Sequence, residues 1–357
     1  MSILFEPLKV GDLNLPNRIV MSPLTRCRAI DSRLPNALMR EYYVQRASVG
    51  LIITEATAVT PEGVGYPNTP GIWSVEQVRA WRAITDAVHA AGGQIVLQLW
   101  HVGRISHPLY LDGNLPVSSS AVKPQGHVSL VRPKTEFVTP RALRLDEIPG
   151  VIEAFRRGAE NAKQAGFDGV EIHGANGYLL DQFLQDSVNH RDDRYGGPIE
   201  NRARLHLEVA DACISVWGSG RVGMHLAPRG DAHDMGDSDP RATFGHLARE
   251  LGRRKLSFLC TREREGPDAI TPLLKREFGG VVIANESFTR ATAEAAISRG
   301  DADAVAFGKL AIANPDLVER FRVEAPLNEW DAATFYADGA AGYTDYPTHA
   351  QREMADR

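Results

Sequence analysis

The stretch RIVMSPLTR, residues 18–26, decides the fold. An apolar, β-branched run ends here in Pro-Leu-Thr-Arg. An open doubly wound sheet would instead follow its first strand with a glycine-rich loop, so that backbone N–H groups can approach a phosphate. The one literal GxGxxG, Gly218–Gly220–Gly223, precedes an apolar run rather than following one, and reads as a turn. Working outward, similar runs recur at 50–57, 94–100, 168–174, 221–226, 256–261, 280–285 and 303–308, eight in all with the first. Between them lie stretches with apolar residues at three- and four-residue spacing, such as 74–91, 146–165, 200–216 and 288–299. Asp146 and Thr289 stand at or near helix starts, and the glycines of 90–93 and 164–166 are stops. Strands alternating with helices imply a parallel sheet, and eight of them close into a (β/α)8 TIM barrel without edges.

The whole chain, 1–357, is expected to form one such domain with two additions. Residues 101–145, rich in Pro, Ser and Gly, make a long excursion after the third strand and are a candidate lid. Residues 326–357 form a C-terminal tail. The composition, 43% hydrophobic and 24% charged, supports a large core. A net charge of −5 argues against nucleic acid or an anionic membrane as the main partner. No run approaches the ~18 apolar residues of a membrane span. The start, MSILFEPLKV, lacks the pattern of a secretion signal. Cys27, Cys213 and Cys260 are far apart, which fits free thiols in a reducing cytoplasm and argues against a zinc site. Monomer and homodimer both remain open.

In a barrel the carboxyl ends of all strands converge on one mouth. The first strand delivers Pro23, Leu24 and Thr25; the second, Ala56 and Thr57; the third, Gln98, Trp100 and His101. The fourth brings His173, Asn176 and Tyr178, the fifth His225, the seventh Asn285, and the eighth Gly308 and Lys309. The set is rich in neutral hydrogen-bonding groups and aromatics and poor in carboxylates. It suits a flat, polar-edged heteroaromatic better than a metal ion. Strands seven and eight commonly cradle a phosphate, and Lys309 could supply charge there, or be a solvated lysine at a helix start. A flat heteroaromatic carrying a phosphate describes FMN. Alone, His173 would be read as a satisfied core histidine; with Asn176 and Tyr178 beside it, a ligand site is favoured.

Several motifs together resemble the Old Yellow Enzyme family. They are PLTR (23–26), QLWHVGR (98–104), HGANGYLLDQFLQDSVNHRDDRYGG (173–197), AFGKLAIANPDL (306–317) and GYTDYP (342–347). The resemblance spans essentially the whole chain. It implies an FMN-dependent barrel that takes hydride from NADPH or NADH and reduces activated C=C bonds of small electron-poor alkenes. It further implies that His173 and Asn176 hold the substrate oxygen and that Tyr178 protonates the α-carbon. Thr25, Gln98 and Ala56 would lie against the flavin, and Tyr66, Trp100 and Tyr336 would wall the pocket. Without the resemblance, Thr25 could be a helix cap, Gln98 the polar end of a buried strand, and each aromatic a core residue.

Three positions depart from the family's pattern. His225 and Lys309 stand where arginine is usual, and Glu286 where glycine is usual. A histidine is shorter than arginine and has an ordinary pKa of about 6.5, so weaker FMN retention or a lowered flavin potential is expected. Lysine keeps the charge but lacks the bidentate fork. Other readings are weaker. Residues 231–239, DAHDMGDSD, are expected to be a solvated turn rather than a metal loop, and 190–197 a surface charge network. No GxSxG elbow suggests a serine hydrolase. A barrel aldolase or isomerase, or an FMN store without turnover, remain the alternatives.

Overall fold

The structure is a computed structural model describing residues 2–355; Met1, Asp356 and Arg357, the last two belonging to the expected tail, lie outside that range. Each of the eight runs contains a strand. They are β1 Ile19–Met21, β2 Leu51–Ile53, β3 Ile95–Trp100, β4 Gly169–His173, β5 Val222–Leu226, β6 Phe258–Arg262, β7 Val281–Asn285 and β8 Ala304–Phe307. All pair in parallel in the order β2-β1-β8-β7-β6-β5-β4-β3. The ring closes where Ile52 of β2 lies opposite Ile95 of β3. Closure leaves the eight barrel strands without an exposed edge to pair with another chain. The glycine pattern at 218–223 is a short turn leading into β5, as expected.

The helices alternate with the strands on the outside. Those before the mouth's fourth strand are α1 Ala37–Gln45, α2 Val75–Ala90 and α3 Ile148–Gln164, followed by the short α4 Leu179–Leu184. After it come α5 Arg204–Trp217, α6 Pro240–Arg253, α7 Thr271–Phe278, α8 Arg290–Ser298, α9 Lys309–Ala313 and α10 Leu317–Val323. Ser74 and Gln77 cap α2 reciprocally, and Thr289 with Thr292 does the same for α8. Asp146 does not cap α3. Glu147 holds the cap position without a side-chain bond, and Asp146 instead accepts from Arg144 Nε at 3.2 Å. Pro149 in the first turn removes one of the N–H donors a cap would serve. The 200–216 stretch breaks at Ala203, leaving Ile199–Arg202 as a separate turn.

Strand alternation divides the core into two layers. Val170 and Ile172 of β4 face outward, packing in one cluster with Phe155 and Ala159 of α3. Inside the ring, Val20, Leu51, Ile53, Val96, Phe258, Cys260 and Ile283 form a second cluster. A hairpin, Leu8–Val10 with Leu13–Leu15, contributes Val10, Leu13 and Leu15 to that inner cluster. The sequence reading missed it because each strand is only three residues long.

The excursion after β3 is a packed cover. Val117–Ser118 pairs with Arg141–Ala142, and Val128 and Phe137 bury against Tyr66 and Trp100. The 190–197 segment exposes His190, Asp192 and Arg194 as a surface network would, but Arg191 turns inward. Arg191, only 8% exposed, donates to the carbonyls of Ser119 (3.0 Å) and Leu143 (2.6 Å) and pairs with Asp193. Those carbonyls belong to the excursion, which has too little regular structure to satisfy them itself. The tail returns to the first βα unit. Tyr343 stacks on Tyr42 with centroids 4.0 Å apart and planes 8° off parallel. Arg26 donates to Phe335 O (3.0 Å) and Gly342 O (2.8 Å), and Arg28 to Thr334 O (2.9 Å).

Candidate active site

The loop after β4 is fixed before any ligand arrives. Asn176 and Gly177 both adopt left-handed backbone, φ +57° and +76°. Asparagine tolerates this; at Gly177 a Cβ would also lie 2.7 Å from Met235 Cγ. Asp181 Oδ2 accepts from Gly177 N at 2.9 Å, and Gln182 Nε2 donates to Gly177 O at 2.7 Å. Gln182 Nε2 also donates to Val102 O (3.0 Å), and Gln182 Oε1 accepts from Arg104 N (3.1 Å), so the ends of β3 and β4 are bound together. Burial pushes the Asp181 carboxyl up to about 7.

This scaffold gathers the predicted groups. The ring of His173 lies 5.0 Å from that of Tyr178 at 85° and 6.2 Å from that of Trp100 at 22°. Trp100 meets Tyr178 edge-on at 5.0 Å and Tyr66 at 5.5 Å. Such edge and offset contacts each add about 0.5–1.5 kcal/mol beyond burial. The hydroxyls of Tyr66 and Tyr178 are 2.9 Å apart. Tyr66 is therefore a hydrogen-bond partner of the expected acid as well as a wall. Tyr336 is half-exposed at the rim, near enough to Tyr66 and Tyr178 to help raise the pKa of both phenols.

Burial, with His225 alongside, holds His173 well below its ordinary pKa, so the ring is neutral. Its Nδ1 accepts from Ala175 N at 3.4 Å, which leaves the hydrogen on Nε2 as a donor. Burial first, and Tyr66 second, push the Tyr178 phenol well above its ordinary value, so Tyr178 keeps its proton. The arrangement offers neutral donors and one held proton. It can stabilise developing negative charge on an oxygen and protonate a neighbouring carbon.

Beneath this layer the barrel interior is polar. Glu171 shares the inward face of β4 with His173, two residues on, and is fully buried; the expectation of a mouth poor in carboxylates missed it. The i, i+2 spacing was the available signal. Gln98 Nε2 donates to Glu171 Oε2 at 2.7 Å, and His225 Nδ1 lies 3.6 Å from the same oxygen. Both ring nitrogens of His225, Glu171 Oε1 and Trp100 Nε1 are buried without a hydrogen-bond partner. Buried polar atoms are rarely left so, and the cluster sits where a polar-edged ring would satisfy it. The donor set thus fits a flavin.

At the far side, Gly308 abuts Leu24, bringing the ends of β8 and β1 together, and Lys309 begins α9, exposed, with Nζ 5.6 Å from the Trp330 ring. Asn285 donates from its side-chain nitrogen to Ala306 O at 2.8 Å and its backbone carbonyl accepts from Glu263 N at 3.0 Å, which leaves the side-chain oxygen for a ligand. Glu286, at the position expected to be glycine, does adopt a glycine-like φ of +100°. Its carboxylate pairs with Arg262 Nε (3.1 Å) and Arg264 Nε (3.6 Å).

Two further residues escaped the sequence reading. Arg262 is the last residue of β6, one past the quoted run, and donates from Nη1 to Asn176 Oδ1 at 2.9 Å. His233 lies in the 231–239 loop, and its Nδ1 is 2.8 Å from Asn176 O, with its ring 5.3 Å from Tyr178. That loop is not the expected solvated turn: Asp237 is buried against Arg202 at 2.6 Å. Arg202 also donates to the carbonyls of Gly197 and Leu184, so Asp237 joins an already anchored guanidinium, while His233 is held at the Asn176 carbonyl.

The sequence pattern of the NADH:flavin oxidoreductase / NADH oxidase family matches residues 3–328. Among curated proteins, 12-oxophytodienoate reductase 1 of Oryza sativa subsp. japonica is 44% identical over 96% of this chain and 92% of its own length. Among solved structures, an old yellow enzyme homologue from Zymomonas mobilis superposes with TM-score 0.94 at 44% identity, covering 96% of this chain and 99% of its own. Morphinone reductase in complex with tetrahydroNAD superposes at 0.93 with 48% identity, covering 97% of each chain.

Proposed function

The chain belongs to the NADH:flavin oxidoreductase / NADH oxidase family, the Old Yellow Enzyme family, and from that premise we propose the following roles for its residues. The enzyme moves hydride from NADPH or NADH, by way of FMN, to the activated C=C bond of α,β-unsaturated carbonyl or nitro compounds. When bound, FMN supplies the hydride acceptor and donor. Pro23, Leu24 and Ala56 would hold it through the backbone, Thr25, Gln98, His173 and His225 through side chains, and Asn285, Gly308 and Lys309 would serve it at the ends of β7 and β8.

The protein's own work is done by the loop after β4. His173 Nε2 and the Asn176 amide donate to the substrate oxygen, whose negative charge grows as the β-carbon is reduced. Preformed donors need no reorganisation at that moment. Tyr178 then gives its proton to the α-carbon. Tyr66, 2.9 Å from the Tyr178 oxygen, can turn its own hydrogen toward the phenolate that remains. Trp100, stacked beside His173, helps exclude water.

The observation that carries this reading is the convergence of a neutral His173 and a protonated Tyr178 on one buried aromatic cluster. An aldolase or isomerase is disfavoured because the chain matches a flavin oxidoreductase family along most of its length. We propose one FMN-binding domain acting in the cytoplasm, as monomer or homodimer, with small molecules rather than nucleic acid or membrane as partners. Among the described residues no helix is long and apolar enough to cross a membrane. The test is purified protein: it should be yellow, be bleached by NADPH, and recover colour on adding cyclohexenone without oxygen. Colourless protein that stays so with added FMN would refute the flavin site; bleached protein that ignores the enone would favour an FMN store.

A further inference from the structure

Arg262 stands on the strand beside His225, and its guanidinium reaches the substrate side of the mouth. Its Nη1 donates to Asn176 Oδ1 at 2.9 Å, and its Nε lies 3.1 Å from Glu286 Oε2. A guanidinium can only donate. The amide atom facing it must therefore be the oxygen, and chemistry alone fixes which way the Asn176 amide is turned. The amide nitrogen is left with no hydrogen bond from the protein among the described residues, in a side chain that is only partly buried. The Asn176 backbone is held as well, with its carbonyl 2.8 Å from His233 Nδ1. Without Arg262, rotation about the last side-chain bond would present oxygen and nitrogen alternately, and an oxygen repels the oxygen it should grip.

We propose that Arg262 is the positioning residue of the substrate-oxygen site: it locks Asn176 with its amide nitrogen toward the substrate and polarises that donor, favouring ligands whose oxygen carries negative charge. A charged donor on Oδ1 draws electron density from the amide and strengthens its N–H groups, the cooperative effect of a hydrogen-bond chain. Glu286 holds the other edge of the guanidinium. The unusual glutamate at a glycine-like φ and the arginine at the end of β6 thus form one unit with Asn176. The assignment rests on Asn176 being a substrate donor.

The test is a double-mutant cycle on oxidised, FMN-loaded enzyme. The probes are 4-nitrophenolate and neutral, unreactive cyclohexanone, and binding is read from the flavin absorbance. Arg262→Ala should weaken nitrophenolate about tenfold, one charge-assisted hydrogen bond, and cyclohexanone less. Arg262→Lys, which keeps a charged donor, should fall in between and also serves if the alanine variant does not hold FMN. The pair Asn176→Ala with Arg262→Ala should bind no worse than Asn176→Ala alone, since Arg262 acts through Asn176. Nitrophenolate binding within twofold of wild type in both Arg262 variants would overturn the inference, as would strictly additive losses. If Asn176→Ala itself binds as tightly as wild type, the donor reading of the site fails instead.

Discussion

The loop after β4 and the ends of β5 to β7 meet at one mouth but are built on opposite principles. In the loop, the backbone is pinned by Asp181 and Gln182, and the donors that remain free point one way. At the ends of β5 and β7, His225 has two buried, unpartnered nitrogens, and Glu286 occupies a strained backbone with its charge answered by two arginines. The first region holds its backbone in place and keeps donors to spare, whereas the second leaves buried polar atoms without partners. Hence the substrate grip is set by hydrogen bonds within the loop and by Arg262 and His233 reaching into it, while the cofactor edge is free to vary if a neighbouring strand supplies compensating charge.

The largest effect should come from the first region. Tyr178→Phe removes the held proton and should slow alkene reduction about 10²–10⁴-fold in anaerobic stopped flow, with NADPH bleaching still proceeding. A smaller effect of Tyr178→Phe would move the acid elsewhere. His173→Ala deletes one oxygen donor and should lower kcat/KM for an enone by about 2.7–4 kcal/mol, roughly 10²–10³-fold. Gly177→Ala tests whether the loop is pinned: it demands positive φ and crowds Met235, so unfolding should be easier by about 1–3 kcal/mol, measured in denaturant. An alanine variant as stable as wild type would show that the loop yields.

The second region should respond through the cofactor. His225→Arg adds a cation where buried nitrogens lack partners, and should raise the flavin midpoint potential by on the order of 30 mV, about 1.4 kcal/mol for a two-electron couple. An unchanged potential and FMN affinity would remove His225 from the flavin's surroundings. The smallest effect on turnover should come from Glu55, buried between Arg26 and Tyr43 and raised by that burial to about 7. Its folded pKa exceeds its unfolded value of about 4.3, so its contribution is complete below that value and is lost as pH rises through about 7. Glu55→Gln should accordingly flatten the fall in thermal midpoint across that window.

Much of this was legible in the sequence because barrels repeat one unit. The eight runs gave eight strands, and the cluster His173, Asn176, Tyr178 lies in a contiguous loop whose glycines announce its turns. The pieces that were missed depend on contacts between distant segments. Glu171 was hidden inside an apolar run, though its spacing from His173 betrays its face. Arg262 and His233 reach Asn176 from 86 and 57 residues away, and no local periodicity reports that. Glu286 stood out only as a departure from the usual glycine, and nothing near it in the sequence reports its arginine partners. Tyr336, expected as a wall, is carried to the rim by a tail segment that Arg26 and Arg28 hold through the Phe335 carbonyl, another contact between distant parts of the chain.

The central claim is that the loop after β4 grips and protonates an activated alkene above a flavin. The direct measurement is anaerobic rapid mixing of NADPH-reduced enzyme with cyclohexenone, wild type beside Tyr178→Phe, following the return of flavin colour and the saturated ketone. The account predicts rapid colour return and cyclohexanone from wild type, with product formation at least about a hundredfold slower in the variant. Reduced wild-type enzyme that keeps its hydride in the presence of the enone, or a phenylalanine variant that forms cyclohexanone as fast as wild type, would contradict it.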